Sequence, residues 1–336
     1  MKTLWFDLNN SPHVNFFKPF VDYYLGKTHI LVTARDLAET VNLARAQLPV
    51  EVMLIGKHGG KSKIKKVTRL LERIRQMNSK LGSFDIALSC GGIEASLLAR
   101  VKKKIAVAFD DNDISPNWLY SKFVNYAFFP DAIPKARLLK QGFKSESIIQ
   151  YEGYKEDVYI SEFKPDPDFL KTLPIKDYLI VRPENFRANY VRGDETTIVS
   201  RLLKILSEKM YEVLYLPRYE YEKHYAAGLL GVYVPPTPLN GLDAVYHSSG
   251  VLSGAGTLSR EAACLGVPAV SFFPGKDLLA VDRKMIGDNW MFHSRNPEEM
   301  VKYLESTRTG ARRKKRSRDV KFEIMEKLDR IIAERC

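Results

Sequence analysis

Cysteine is scarce in this chain: Cys90, Cys264 and Cys336 are the full set in 336 residues, widely spaced and odd in number. That excludes a disulfide scaffold and, with no CxxC pair, a thiolate zinc site, and it fits a reducing compartment. The six histidines, at 13, 29, 58, 224, 247 and 293, show no HxxxH or similar ligand spacing, so no metal is implied. No stretch approaches the roughly 20 apolar residues of a membrane span, and the strand-like Leu4 to Leu8 after Lys2 leaves no room for an apolar leader core. The expected location is the cytoplasm. Fixed-period repeats, zinc-finger, helix-turn-helix and aromatic RNA-binding signals are missing too, so nucleic acid is not an expected partner.

Acid is also in short supply, 40 Asp and Glu against 52 Lys and Arg, for a net charge of +12. The imbalance is uneven: residues 1–150 carry 23 basic and 13 acidic side chains, residues 151–307 carry 18 and 22, and the tail from 308 carries 11 and 5. A basic first half and tail suit an anionic membrane surface, a nucleic acid or a phosphorylated substrate, and charge alone does not choose among them. The tail holds the run Arg312-Arg313-Lys314-Lys315-Arg316, which reads equally as a solvated face.

What is present is an ordinary globular composition, 45% hydrophobic and 27% charged, on a length that suggests two domains. Short apolar runs at Leu4–Leu8, His29–Ala34, Val50–Ile55, Phe84–Ser89, Ile105–Phe109, Tyr126–Phe129 and Ser147–Tyr151 alternate with helix-period stretches. The second half repeats this with Tyr178–Arg182, Tyr211–Pro217, Val232–Val234, Val245–Leu252 and Val267–Phe273. Strands alternating with helices predict parallel, doubly wound α/β sheets, hence two Rossmann-like domains facing across a cleft, with ligands beyond the strands' carboxyl ends. The expected divisions are 1–152, 153–318 and a final helix over 319–336 that packs back on the first domain.

The most specific segment is Ser253-Gly254-Ala255-Gly256-Thr257, followed by Glu261 and then Leu265-Gly266-Val267-Pro268: strand end, glycine turn, helix, strand. Glycines let a backbone approach an anion, and the first N–H groups of a helix favour negative charge, so this turn suits a diphosphate. Glu261, one turn on, suits ribose hydroxyls; a plain structural turn is the competing reading. Arg182-Pro183-Glu184-Asn185-Phe186 ends another strand, where Arg182 suits phosphate and Glu184 a sugar hydroxyl or acid–base work, unless the two form a local ion pair.

The first turn of the chain, Asn9-Asn10-Ser11-Pro12-His13, places Ser11 as N-cap, Pro12 at the first helical position and His13 in the opening turn. A helix dipole disfavours imidazolium there, so a neutral His13 is a candidate general base, with Asn10 and Ser11 beside it. Lys57-His58-Gly59-Gly60-Lys61-Ser62 has the look of a Walker A loop, but the required earlier glycine is Ile55, so it reads as an anion-binding loop or a connection. The helix after it sets Ile64, Val67, Leu70, Leu71, Ile74 and Met77 on one side, with Arg69, Arg73 and Arg75 elsewhere, as a core helix with a solvated face or a membrane-surface helix. Asp110-Asp111-Asn112-Asp113 follows a strand and suits magnesium through its oxygens or, as the favoured reading, a capped and solvated loop.

Through Asp7-Leu8-Asn9-Asn10-Ser11-Pro12-His13, Gly56-Lys57-His58-Gly59-Gly60-Lys61-Ser62, Gly153-Tyr154-Lys155-Glu156 and Val181-Arg182-Pro183-Glu184, the chain resembles an uncharacterised prokaryotic family of GT-B-like proteins. More distantly it is similar to non-hydrolysing UDP-N-acetylglucosamine 2-epimerases and to the lipid-linked N-acetylglucosaminyltransferase of peptidoglycan synthesis. The resemblance implies a GT-B fold binding a UDP-sugar, with no cofactor and no metal, Glu261 on ribose, and His13 deprotonating an acceptor beside membrane lipid. The expected activity is glycosyl transfer. The rivals are epimerisation through Glu184 with Asp110 or Asp111, and non-enzymatic binding of nucleic acid or anionic membrane.

Overall fold

The β-branched and aromatic runs of the first half pair into one parallel sheet. Its strands are β1 (Thr3–Leu8), β2 (His29–Asp36), β3 (Val52–Lys57), β4 (Ile86–Ser89), β5 (Ile105–Phe109), β6 (Tyr126–Pro130) and β7 (Ile148–Tyr151), in the order β3-β2-β1-β4-β5-β6-β7. The crossovers carry α1 (Ser11–Tyr24), α2 (Thr40–Gln47), α3 (Lys63–Lys80), α4 (Ile93–Val101) and α5 (Lys135–Lys140), and α6 (Lys155–Ile160) follows β7. The computed structural model describes residues 1–36, 40–57, 63–186, 196–307 and 314–335, and the chain divides into two units, Met1–Tyr159 with Arg318–Cys336 and Ile160–Ser317.

The first unit is built on aromatic burial. Leu4, Trp5, Phe6 and Leu8 of β1 are fully buried, and α1, started by Pro12 in its first turn, turns Val14, Phe16, Phe17, Phe20, Val21 and Tyr24 inward at helical spacing. Phe6, Phe16, Phe17, Phe20, Phe109 and Phe128 form a continuous set of ring contacts with centroids 4.8 to 5.9 Å apart. Each buried ring contributes about 1.5–3 kcal/mol, which pins β1 and α1 against β5. The chain's last helix, α12 (Lys314–Arg335), belongs to this unit from Arg318 on: Asp329 accepts from Tyr23 and Tyr24 at 2.8 and 2.7 Å, and Lys2 donates to the Ile332 carbonyl.

In the second unit β8 (Tyr178–Arg182), β9 (Glu212–Tyr215), β10 (Val232–Tyr233), β11 (Gly250–Ser253), β12 (Ala269–Ser271) and β13 (Phe292–His293) form a second parallel sheet, ordered β10-β9-β8-β11-β12-β13. Its helices are α7 (Val199–Glu208), α8 (Gly241–Tyr246), α9 (Gly256–Leu265), α10 (Ala280–Gly287) and α11 (Pro297–Ser306). Leu202, Leu203 and Leu206 of α7 pack with Val181, Val213, Tyr215 and Met300 as its core.

Three local expectations are corrected. Val245–Leu252 is not one strand, because Asn240 accepts from the Leu242 N–H and starts α8 through Val245 and Tyr246, and β11 begins only at Gly250. β13 was missed because two residues are too short for a period to register. In α3 the sides differ from those expected: Val67 and Leu71 are more than half exposed, whereas Arg73 is 1% exposed beside the buried Met77. The loop residues His58, Gly59, Gly60, Lys61 and Ser62, and Arg312 and Arg313 of the tail, lie outside the described residues.

Candidate functional site

In each parallel sheet the order in which strands are added reverses at one place, between β1 and β4 in the first unit and between β8 and β11 in the second. Ligands of open parallel sheets bind beyond the carboxyl ends of the strands at such a point.

At the first reversal the ends of β1 and β4 carry Asp7 and Ser89, which lie side by side in register. Asp7 is fully buried, and both its oxygens accept from the Arg73 guanidinium, Nη2 to Oδ1 at 2.5 Å and Nη1 to Oδ2 at 3.1 Å. Thr33 Oγ1 also donates to Oδ1, at 2.7 Å. Arg73 Nη1 lies 3.6 Å from Glu94, which pairs in turn with Arg35. Burial opposes the Arg73 charge, but Asp7 and Glu94 more than offset that and raise its pKa. None of these four was expected as a site residue. One signal existed: Arg73 stands three residues after Leu70 and four before Met77, the inward spacing of its helix.

His13 is buried in the first turn of α1, where Nδ1 accepts the Asn9 backbone N–H at 3.2 Å. Its pKa is lowered to about 3, by burial first and by Lys155 next, so the ring is neutral. With Nδ1 accepting, the ring proton sits on Nε2. The neutral state agrees with the dipole argument, but this tautomer makes His13 a donor at Nε2 rather than a ready base. Ser11 is helical instead of capping, Asn10 takes the cap position without a side-chain bond, and the Ser11 hydroxyl meets Thr40 Oγ1 at 3.3 Å.

Asp110 and Asp111 follow β5 and join the same edge. Asp111 takes the Lys155 ammonium at 2.7 Å, and Lys155 stands at the start of α6. Burial opposes the Lys155 charge, yet Asp111 and the neighbouring groups raise its pKa. Asp110 accepts from Tyr120 at 2.6 Å and from the Asn112 N–H at 2.9 Å. Its pKa is nonetheless pushed up to about 6, by burial first and then by Asp111. A carboxyl titrating near 6 is matched to proton transfer close to neutral pH. Burial pushes the Cys90 thiol up, which favours its neutral form.

At the second reversal β8 and β11 are in register at Arg182 and Ser253, and the Gly254 N–H donates to the Arg182 carbonyl at 2.9 Å. A Cβ on Gly254 would stand 2.6 Å from the Glu184 backbone nitrogen, so only glycine lets the two strand ends approach this closely. Ser253 Oγ accepts the Ala255 N–H at 3.1 Å and shapes the turn. α9 then opens at Gly256 and Thr257 with no side-chain cap on its first N–H groups. Glu261 is buried, 6% exposed, and is not a free carboxylate. Arg182 is half-buried, with Nη1 3.5 Å from the Leu216 carbonyl.

Glu184 is occupied. It accepts from Thr197 Oγ1 at 2.8 Å, the Ile198 N–H at 3.2 Å and Arg295 Nη1 at 3.3 Å, and so ties the approach to α7 onto the end of β8. Arg295, also unexpected, reaches the Phe272 and Thr196 carbonyls. Asn185 Oδ1 is buried and accepts no hydrogen bond from the described residues. Lys57 ends β3, the edge strand of the first sheet, two places from β1. Among the described residues no cluster of three or more His, Cys, Asp or Glu is arranged to hold a metal ion. No described helix is long and apolar enough to cross a membrane.

Two Rossmann-like parallel α/β domains, each with a polar edge at its reversal, define the class: a GT-B-like protein. The chain belongs to the family described as a protein of unknown function, DUF354, whose pattern matches residues 2–334. It is 26% identical over 317 residues, 90% of each chain, to the uncharacterized protein MJ0665 of Methanocaldococcus jannaschii. A UDP-GlcNAc 2-epimerase from the same organism, solved with UDP-GlcNAc and UDP, is similar in fold, with a TM-score of 0.68 at 14% identity over 96% of this chain and 99% of that one. The glycosyltransferase of kitacinnamycin has a TM-score of 0.66 at 10% identity over 100% and 99%. At these identities the likeness is one of fold.

Proposed function

We propose that the protein is a GT-B glycosyltransferase that takes a nucleoside-diphosphate sugar, UDP-linked, at the edge of its second sheet, and acts without a bound metal. The observation that carries the reading is the junction of β8 and β11, where Gly254 brings the strand ends together and an uncapped α9 opens at Gly256 and Thr257. Backbone N–H groups at that helix start and the Arg182 guanidinium meet the two phosphates, and Glu261 lies one turn on toward the ribose. As the glycosidic bond breaks, charge gathers on the leaving diphosphate, and donors fixed there lower the barrier. Solved proteins of the same fold were crystallised with UDP and UDP-GlcNAc, which favours uridine as the base.

The first unit supplies the acceptor side. Asp110, titrating near 6, takes the acceptor proton, and His13 orients the acceptor by donating from Nε2, with Asn10 and Ser11 on the same turn. The acceptor is presented at an anionic membrane surface. Support comes from the basic residues 1–150 and from α3, where Val67 and Leu71 are exposed beside Arg69 and Arg75.

Calorimetric titration with UDP and UDP-N-acetylglucosamine tests the donor half: binding that Arg182→Ala weakens at least tenfold agrees with the reading, and no heat with either overturns it. A second reading, epimerisation of the same donor, is favoured by the crowded Asp110–Asp111 pair, a proton acceptor poised near neutral pH. Incubation in deuterated water without acceptor separates the two, because only the epimerase exchanges the hydrogen at carbon 2 of the sugar.

A further inference from the structure

The end of β1 carries a buried acceptor that the protein aims and leaves unpaired. Asn9 is nine-tenths buried, and its amide nitrogen donates to Asp7 Oδ2 at 3.4 Å. Turned the other way, the amide would set its oxygen against that carboxylate, so Asp7 fixes the orientation. Asp7 cannot swing to relieve it, being held by both Arg73 nitrogens and by Thr33, whose hydroxyl also receives the Trp5 indole N–H at 2.9 Å. Asn9 Oδ1 is thereby turned away from the charge cluster, buried, and accepts no hydrogen bond from any described residue.

An acceptor left in this state destabilises the fold, and natural structures keep few of them without a use. The neighbouring geometry indicates which partner fits. The Asn9 backbone N–H is spent on His13 Nδ1, which leaves a donor at His13 Nε2 four residues from the orphaned acceptor. A donor and an acceptor on the one turn that leads from β1 into α1 are complementary to a hydroxyl, which both gives and takes a hydrogen bond. Gly92, at the start of α4, packs on the other end of this amide: a Cβ there would stand 3.0 Å from Asn9 Nδ2 and crowd the nitrogen that Asp7 holds.

We propose that Asn9 Oδ1, aimed by Asp7 and Arg73, accepts a hydrogen bond from a hydroxyl of a bound saccharide or polyol, with His13 Nε2 donating to that hydroxyl. This hydroxyl is held, not transferred, so Asn9 and His13 set which hydroxyl pattern the protein accepts. The identity of the ligand as a saccharide rests on the function proposed above; the hydroxyl contact itself does not need the nucleotide.

Saturation-transfer NMR on the intact chain with N-acetylglucosamine, glucose and glycerol tests this directly, run on the wild type and on Asn9→Leu, with thermal melting of both. The expected result is transfer to at least one probe with the wild type, affinity at least tenfold weaker in Asn9→Leu, and a melting temperature for Asn9→Leu no lower than wild type, because the variant removes an unpaired acceptor. Two outcomes overturn the proposal: no transfer to any of the three probes, or a lower melting temperature with unchanged transfer, which makes Asn9 a purely structural partner of Asp7. Should UDP fail to bind while Asn9→Leu still abolishes saccharide transfer, the nucleotide reading falls and the hydroxyl site stands.

Discussion

The two sheets reverse in the same way, yet their edges are built from different materials. The first is charged and deeply buried, with Asp7, Arg73, Glu94 and Arg35 in one network and Asp110, Asp111, Lys155 and His13 in the next. The second is glycine and backbone at its turn, and the buried Glu184 carboxylate there is given over to holding Thr197, Ile198 and Arg295. Shared topology therefore sets where such an edge forms and not which groups line it. An edge of N–H groups suits an anion that stays ionised, whereas an edge of opposed buried charges can hold a carboxyl near 6 and an imidazole neutral.

Substitutions that exchange one character for the other break this contrast. Asp110→Asn removes the proton acceptor and is expected to lower turnover by roughly 10²–10⁴-fold while UDP binding persists, measured by steady-state kinetics beside calorimetry. Arg73→Met strips Asp7 of its counter-charge and is expected to cost about 3–5 kcal/mol in denaturant unfolding, more than the double variant with Asp7→Leu, because one partner alone leaves an uncompensated buried ion. Gly254→Ala forces a methyl against the Glu184 backbone and is expected to cost about 1–3 kcal/mol and to weaken UDP, read by thermal melting with and without the nucleotide.

Within the first edge, two buried groups respond to pH with opposite signs and smaller effect. His13 binds its proton only near pH 3 in the folded chain but near 6.5 when unfolded, so its contribution is complete above 6.5 and is lost as pH falls through that window. His13→Gln should flatten the acid side of a stability–pH curve. Asp110 acts with the opposite sign, because its raised value makes the folded state the better proton binder between about 4 and 6, and its contribution is lost as pH rises through that range. Asp110→Asn should therefore relatively stabilise the chain above pH 6.

Much of the fold was legible because its signals are local. Strands such as Ile105–Phe109 and Tyr178–Arg182 have the bounds their apolar runs suggest, and the glycine turn at Ser253–Thr257 lies at a sheet reversal. The networks were not legible, because what joins them is distance along the chain. Asp7 meets Arg73 across 66 residues, Asp111 meets Lys155 across 44, and Glu184 meets Arg295 across 111. Arg73 was read as solvated because a count of apolar positions treats any arginine as outward, whereas a helix face turned to a buried carboxylate favours one inside. The His13 tautomer depended on a single backbone bond from Asn9, which no residue pattern encodes.

If the second edge takes the diphosphate, a crystal of the intact chain soaked with UDP will show phosphate density within hydrogen-bond distance of the Gly256 and Thr257 backbone N–H groups and of Arg182. Density for UDP at the charged end of β1 instead, or none at either edge under saturating nucleotide, would contradict it.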